Sequence, residues 1–341
     1  MPVAEARDVS AAILNWNGGE LVMRCLRSLQ RQTCLPGQRI VVDNGSTDGS
    51  LERLQAEDPE LEVIVNERNV GFARAANQAV ARARGRWFLL LNLDVELEPD
   101  YVERLLAAGE RSPRVSSVTG RLLRPRHGPG PAIVDSTGHL LFSNGWAANR
   151  GEASPDQPAW DQPGEVFGVT GAAPLYRVEA LREASHGCAR PFDERFFAYI
   201  EDVDLDWRLR WLGWRAWYEP AVAWHHRSAT GARRSPIILR HILKNRLLLV
   251  ANNDLWPDGL RRLPTVALFT ILTAVQFGLE SPQAPLGILD VARQLPESLR
   301  RRRFLQTHRR VSSGEIRSWM QPFPYRQKLA RRLLGERRAA G

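Results

Sequence analysis

The chain has 341 residues, of which 43% are hydrophobic and 25% are charged, a balance that excludes a disordered or fibrous chain. Its length suits two modest domains or one large α/β domain with an extension. The net charge of +9 is uneven, because residues 227–341 hold 22 basic and 7 acidic side chains while residues 1–226 hold 25 and 31. A basic tail on an acidic body favours a polyanion or a membrane surface as partner, and composition does not distinguish them.

Cysteine content and the N-terminus bear on location. The chain has three cysteines, Cys25, Cys34 and Cys188, an odd number without C-x-x-C spacing. This pattern disfavours a disulfide framework and a cysteine-based zinc site, and it favours location in a reducing cytosol. Residues 1–8 contain Glu5 and Asp8 and lack an apolar core, so we expect no secretory signal.

Strand and helix patterns alternate over the first hundred residues. Strands are predicted at 9–14, 40–42, 61–65 and 87–91, and helices between them at about 21–29, 46–57 and 72–84. This alternation predicts βαβ units, and therefore an α/β fold with a mainly parallel sheet.

Each of these strands ends in a polar residue: Asn15, Asp43, Asn66, and Asn92 with Asp94. Ligands of open parallel sheets bind beyond the carboxyl ends of the strands. Asn and Asp also favour turns after strands, which would explain any one of these residues alone. Four polar ends at one edge favour a binding site.

The pattern is weaker in the rest of the chain. Loops and a hairpin are predicted over 121–165, a strand interrupted at Gly171-Ala172 over 166–176, a helix over 201–212, strands at 214–218 and 221–224, and amphipathic helices at 236–256 and 263–279. The last of these is short and too polar for a span, so an interfacial or core helix is predicted there.

Two acidic stretches are candidate sites: residues 92–94 after the fourth strand, and residues 201–206 at the start of a helix. A carboxylate at a strand end can hold Mg²⁺ or Mn²⁺ together with bound phosphates. The second stretch lacks the Gly and Glu that an EF-hand requires. We expect one or two of its acids to cap the helix, and Asp202 to face the cleft.

A series of motifs follows in order along the chain: ILNWNG (13–18), VVDNGSTDGS (41–50), NVGF (69–72), LLNLD (90–94), GA (171–172), FDERFF (192–197), YIEDVDL (199–205) and His225. In this order and at this spacing they resemble glycosyltransferase family 2, and most closely the rhamnosyltransferases of bacterial cell-wall and O-antigen assembly. The resemblance covers about residues 9–250.

The resemblance implies a GT-A type, Rossmann-like catalytic domain over 1–232, with a nucleotide-sugar half at about 9–95 and an acceptor half at about 96–232. A helical, Arg-rich extension follows over 233–341. The donor pocket would be lined by Asn15, Asp43, Asn69, Gly71, Asn92, Gly171 and Ala172, with Asp43 accepting a hydrogen bond from the base.

The same resemblance implies Asp202 as the catalytic base, and Asp94 with His225 as the residues that hold Mg²⁺ or Mn²⁺. His226 is the neighbouring alternative to His225. Asn92 replaces the first acid of the family's D-x-D motif, which implies weaker metal binding. A single base with in-line attack predicts inversion of the anomeric centre, and Glu201 is expected to face elsewhere.

The predicted function is therefore transfer of a sugar from a nucleotide diphosphate, with dTDP-L-rhamnose favoured over UDP- or GDP-linked hexoses. The acceptor would be a glycan or a polyprenyl-diphosphate-linked sugar. Basic and apolar segments of the extension favour a peripheral position on the inner face of the cell membrane. The alternative is an extension that packs on the catalytic domain or on a second subunit of a homodimer.

Three other classes of protein fit the sequence less well. A dinucleotide oxidoreductase is disfavoured because no G-x-G-x-x-G is present. No helix-turn-helix, zinc or RNA-binding signature accompanies the basic tail, so no nucleic-acid partner is expected. A catalytically inactive sugar-binding or scaffold protein draws support from Asn92, whereas Asp94 and Asp202 speak against it.

Overall fold

The computed structural model describes residues 6–126, 128–185, 190–227 and 235–324; Cys188 and the last part of the Arg-rich tail lie outside these ranges. The N-terminal elements are β1 Val9–Asn15, α1 Gly19–Gln30, β2 Gln38–Asp43, α2 Ser50–Glu57, β3 Glu62–Val65, α3 Phe72–Arg82 and β4 Trp87–Asn92. The middle elements are β5 Val95–Leu97, α4 Tyr101–Gly109, β6 Val115–Arg124, β7 Ile133–Ser136, β8 His139–Phe142, β9 Ala147–Asn149, β10 Gly164–Val166, β11 Leu175–Arg177, α5 Val178–Ala184, α6 Glu201–Trp211 and β12 Arg215–His225. The C-terminal elements are α7 Pro236–Asn253, α8 Asp258–Glu280, α9 Leu286–His308, α10 Ser313–Ser318 and β13 Met320–Gln321.

The first four strands form the parallel half of the main sheet, in the order β3-β2-β1-β4. β1 is buried along its whole length, because packed helices cover both faces of the sheet. The register places Asn15 beside Asp43 and Leu14 beside Asn92. The ladder continues past the strand ends, since Asn66 N donates to Asp43 O at 2.8 Å. The predicted α/β class and the shared polar edge are confirmed.

The other half of the main sheet is mixed. β11 lies antiparallel between β4 and β6, and β12 runs parallel to β6 and antiparallel to β5 and β10. The two strands predicted at 214–224 are one strand, β12, with an irregularity after Tyr218. β8 and β9 form the predicted hairpin within 121–165. The sequence pattern does not predict α4, β5 or the first part of β6.

The predicted strand over 166–176 is wrong. β10 and β11 pair with different strands, and the segment between them is irregular. Its backbone turns toward α6, where Val169 N donates to Asp206 Oδ2 and Gly171 N donates to Asp202 Oδ2, at 3.0 and 2.8 Å. These N–H groups bind carboxylates in place of a neighbouring strand.

The helix α7 packs on the loop that precedes α6. Three non-glycine residues of this loop, Phe197, Tyr199 and Ile200, have φ of 65°, 74° and 72°. Such backbone is strained by about 1–3 kcal/mol per residue and needs support from its surroundings. The side-chain amide of Asn245 on α7 donates to the carbonyl oxygens of three loop residues, at 2.8–3.0 Å: Phe196, Ala198 and Tyr199.

The arginine run of residues 300–303 lies on α9 and is partly structural. Arg302 Nε donates to Ala251 O at 3.1 Å, and Arg301 Nε lies 3.6 Å from Asp193 Oδ2. Arg300 and Arg303 are exposed. The basic tail therefore contributes both to internal packing and to a charged surface.

The helix α8 exposes a large apolar surface. Its exposed apolar residues are Leu260, Leu263, Leu268, Ile271, Leu272, Val275 and Leu279. Among the residues that the structure describes, α8 is the one helix long and apolar enough to cross a membrane by length and composition alone. At 23 residues it is longer than the segment predicted at 263–279.

We predict that Asn245→Leu lowers the free energy of unfolding by about 2–4 kcal/mol, because three carbonyl groups of the strained loop lose their donor. Urea denaturation of the full chain measures this change. Asn149→Leu, at a partly exposed position on β9, is the matched control, and we expect it to shift stability by about 0.5 kcal/mol or less. Equal effects of the two substitutions would show that the α7 contact does not support the loop.

Candidate functional site

The first part of the site lies at the ends of β1 and β2. Asn15 Nδ2 donates to Asp43 Oδ1 at 2.8 Å and to Ser50 Oγ at 2.9 Å, and Asp43 Oδ2 accepts from Ser46 N at 3.0 Å. Asn15 and Asp43 are buried. Each Asp43 oxygen already accepts one bond from the protein and retains a second lone pair, which is the capacity that its predicted contact with a base requires.

Asn69 and Gly71 form the turn that begins α3. Asn69 Oδ1 accepts from Gly71 N at 2.9 Å, and Gly71 has φ of 87°. A Cβ at Gly71 would lie 2.6 Å from the ring of Phe197, so the glycine allows the loop before α6 to approach. These two predicted residues are thus connected to the α6 side of the site through Phe197.

The second part of the site is a chain of three side chains that starts at Asp94. His225 Nε2 lies 3.3 Å from Asp94 Oδ1, and His225 Nδ1 lies 2.8 Å from Asp135 Oδ2. Asp135 also binds Arg124 Nε at 3.0 Å. His226 faces away, with its Nε2 3.6 Å from Glu96 Oε2. Of the two histidines, His225 is therefore the one that faces Asp94.

The protonation states of His225 and Asp135 depend on each other. Burial lowers the pKa of His225, but its bonds to Asp135 and Asp94 outweigh burial and raise that pKa to about 9. Burial likewise opposes ionisation of Asp135, yet His225 and two arginines lower its pKa to about 2. His225 is therefore a cation between two carboxylates at neutral pH.

The donor set at Asp94 fits a sparse metal site. No group of three or more His, Cys, Asp or Glu side chains is arranged around a common point in the described part of the chain. Asp94 and His225 supply one oxygen and one nitrogen, and Asp135 holds the other ring nitrogen, as carboxylates commonly do behind metal-bound histidines. Mg²⁺ and Mn²⁺ sites of this kind take their remaining ligands from phosphates and water.

The third part of the site is Asp202, at the start of α6. Its Oδ2 accepts from Gly171 N at 2.8 Å, and its Oδ1 accepts from Val203 N at 2.9 Å. His139 Nε2 lies 3.5 Å from Oδ2. Burial raises the pKa of Asp202, but His139 outweighs burial, so that the pKa is lowered.

The expectation that one or two acids cap α6 is met only in part, since Asp202 Oδ1 accepts from Val203 N in the first turn while no acid occupies the N-cap position. Ile200 occupies the N-cap position without a side-chain cap. Asp204 is buried and binds Arg208 Nε at 3.0 Å, and Asp206 is buried and binds His139 Nδ1 at 2.7 Å. Burial, followed by Asp202, raises the pKa of Glu201 well above its ordinary value.

The backbone joins the Asp94 and Asp202 parts of the site. Asn92 N donates to Ala172 O at 2.9 Å, and Gly171 N donates to Asp202 Oδ2. A Cβ at Gly171 would lie 3.2 Å from Asp202 Oδ2, so this glycine admits close approach of the carboxylate. Asn92, Gly171 and Ala172 therefore link the two candidate carboxylates along one edge of the sheet.

Asp135 and His139 were not predicted, and Asp206 was predicted only as a member of the acidic stretch 201–206. Asp135 and His139 flank the turn between β7 and β8, in the stretch whose pattern predicts only loops and a hairpin. Asp206 carries a usable signal, because residues four apart on a helix share a face and Asp202 was already a candidate. The pairing of Asp135 with His225 and of His139 with Asp202 is long-range and has no local pattern.

Comparisons with known proteins agree with this architecture. The family model described as "Glycosyl transferase family 2" matches residues 10–183. The chain is 27% identical over 241 residues to N-acetylglucosaminyl-diphospho-decaprenol L-rhamnosyltransferase of Mycobacterium tuberculosis, which covers 65% of this chain and 77% of that protein. It is 37% identical over 101 residues to chondroitin synthase of Escherichia coli, which covers 29% of this chain and 15% of that protein.

A solved structure shares the fold. GalNAc-T7, crystallised with UDP, GalNAc and Mn²⁺, superposes with a TM-score of 0.56 at 16% identity, covering 85% of this chain and 57% of that one. At this identity the likeness concerns the fold alone. The family match spans slightly more than half of the chain and includes the strand ends from Asn15 to Asp94. This chain belongs to glycosyltransferase family 2.

Proposed function

We propose that the protein is an inverting glycosyltransferase that moves L-rhamnose from dTDP-L-rhamnose to a glycan or a polyprenyl-diphosphate-linked sugar. The observation that carries this proposal is the connection of Asp94 and Asp202 along one sheet edge through the Asn92–Ala172 backbone bond. The mycobacterial relative supports the choice of donor sugar and of a lipid-linked acceptor. A UDP- or GDP-linked hexose is the alternative donor.

Asp202 is the group suited to be the base. Its depressed pKa keeps it ionised at neutral pH, and part of its side chain (15%) is exposed. It would take the proton of the acceptor hydroxyl while that oxygen bonds to the anomeric carbon and the bond to the diphosphate breaks. Glu201 is buried and its pKa is raised, so it is a poor nucleophile. One ionised carboxylate at the reaction centre favours inversion.

Asp94 and His225 are the residues that would hold Mg²⁺ or Mn²⁺. When bound, the ion offsets the negative charge that develops on the leaving diphosphate. Asp135 fixes the ring of His225 so that Nε2 points at Asp94. Because His225 is protonated beside Asp94, metal binding would release a proton from its ring.

A donor screen tests this function. Purified protein is incubated with dTDP-L-rhamnose, UDP-hexoses and GDP-hexoses, with a polyprenyl-diphosphate sugar as acceptor, and nucleotide diphosphate release is measured. We expect turnover with dTDP-L-rhamnose, and a 10²- to 10⁴-fold loss of kcat in Asp202→Asn, roughly the range of general-base catalysis. Asp8→Asn, at an exposed position, should leave kcat unchanged. Full activity of Asp202→Asn would refute the assignment of Asp202 as the base. Absence of turnover with every donor would refute the proposed glycosyltransferase activity.

Metal removal tests the role of Asp94. We expect EDTA to lower kcat by at least about 100-fold and Mn²⁺ or Mg²⁺ to restore it, because several kcal/mol of charge stabilisation depend on the ion. Asp94→Asn should raise the Mn²⁺ concentration needed for half-maximal activity. Activity that is unchanged in EDTA would refute the metal role of Asp94.

The partner proposed for α8 is an anionic membrane surface. The helix exposes seven large apolar side chains, and Trp256 just before it is also exposed. Arg261 at the start of α8 is exposed and follows the exposed Leu260, and Arg300 and Arg303 are exposed on α9. Apolar area next to positive charge is the combination that binds an anionic lipid interface. An acceptor on a polyprenyl chain would be presented at the same surface.

Vesicle co-sedimentation tests this partner. We expect the protein to sediment with phosphatidylglycerol vesicles more than with phosphatidylcholine vesicles, and the double variant Ile271→Asp/Val275→Asp to lose this binding. Val65→Asp/Leu35→Asp, which changes exposed apolar residues elsewhere, is the control and should bind normally. The membrane proposal would be wrong if the protein does not bind either kind of vesicle. If light scattering then shows a dimer that Ile271→Asp/Val275→Asp abolishes, the exposed face of α8 binds a second copy of the chain.

A further inference from the structure

A histidine lies between two carboxylates of α6. His139 Nδ1 is 2.7 Å from Asp206 Oδ2, and His139 Nε2 is 3.5 Å from Asp202 Oδ2. His139 and Asp206 are buried, whereas the Asp202 side chain reaches solvent. The three side chains therefore run from the interior of the protein to the candidate base.

The surrounding backbone is shaped to this arrangement. Val169 N donates to Asp206 Oδ2 at 3.0 Å, and His139 N donates to Gly168 O at 3.0 Å. A Cβ at Gly168 would overlap the carboxylate of Asp206, so the absence of a side chain there makes room for it. Gly138 has φ of 118°, and a Cβ there would approach Gly168 O to 2.8 Å. Two glycines thus admit the contact between β8 and α6.

The charges around His139 are mostly negative. The titratable and charged groups that face this cluster are Asp202, Asp206, Glu201, Asp204 and Arg210 on α6, and Tyr176 on β11. Arg210 is engaged by Glu165 and by the Phe167 carbonyl oxygen. Burial lowers the pKa of His139, but Asp202 and Asp206 raise it to about 10, so the ring is charged at neutral pH.

We propose that His139, held by Asp206, is a positioning residue that keeps the Asp202 carboxylate charged and oriented for proton transfer. This inference rests on the proposed role of Asp202 as the base. Without the imidazolium, Asp202 would keep only its two backbone donors, Gly171 N and Val203 N. Burial and the negative charge of Asp206 would still oppose its ionisation. The pKa of Asp202 would then be higher, so that its protonated form, which cannot accept a proton from the acceptor, would persist to higher pH.

The sign of the pH effect follows from these contacts. In the wild type the pKa of Asp202 is lowered. The acid limb, the pH range in which kcat/KM falls on acidification, should therefore lie below the ordinary pKa of an aspartate. In His139→Gln that limb should move up by about 1–3 pH units, the usual effect of an opposite charge at this distance. His139→Lys, which restores a positive charge with a different shape, should return the limb toward the wild-type position even if kcat is lower.

The pH profile of kcat/KM is therefore measured for the wild type, both His139 variants and the control His308→Gln, which changes an exposed histidine on α9. A merely structural histidine would lower kcat without moving the acid limb, and that result would overturn the inference. If Asp202→Asn is inactive and the limb stays in place, only this inference fails. If Asp202→Asn is fully active, the proposed function fails at the base and the inference fails with it.

A second measurement does not depend on the activity or folding of a His139 variant. Nitrogen NMR of the histidine rings in the wild-type protein, assigned through the backbone, reports the protonation of His139 directly. We expect both ring nitrogens to be protonated at pH 8, and the ring to titrate at lower pH in Asp206→Asn. A neutral His139 ring at pH 7 in the wild type would overturn the proposal.

Discussion

Ionisation of buried carboxylates is the constraint on which the site depends. Taking a carboxylate out of water favours its neutral form unless a cation or several hydrogen-bond donors compensate. Here each of the two candidate carboxylates lies beside a histidine that a second aspartate holds: Asp94 with His225 and Asp135, and Asp202 with His139 and Asp206. The two histidines supply positive charge next to these carboxylates.

One residue of each of these two groups, Asp135 or His139, lies beside the turn between β7 and β8. Asp135 ends one side of the turn and binds His225, while His139 begins the other side and lies beside Asp202. A single short connection therefore contacts both the metal-side and the base-side residues. Movement of this turn would disturb both at once, and its glycine, Gly138, lies close to Gly168, where a Cβ would approach Gly168 O to 2.8 Å.

Local patterns predict the parallel half of the fold well, because apolar strands such as Val9–Asn15 alternate with amphipathic helices and end in polar residues. They predict the base-side partners poorly. The segment over 166–176 has strand composition, yet its N–H groups bind α6 carboxylates, and this depends on contacts more than thirty residues away. The α6 acids look like helix caps from sequence, and only burial against His139 and Asn252 shows otherwise.

The most direct test of the account is a crystal structure of the protein with Mn²⁺ and a non-hydrolysable analogue of the donor. The account predicts anomalous density for Mn²⁺ between Asp94, His225 and the diphosphate, with the sugar placed so that its anomeric carbon faces a space lined by Asp202. A diphosphate bound away from Asp94, or a sugar whose reactive face points away from Asp202, would contradict it.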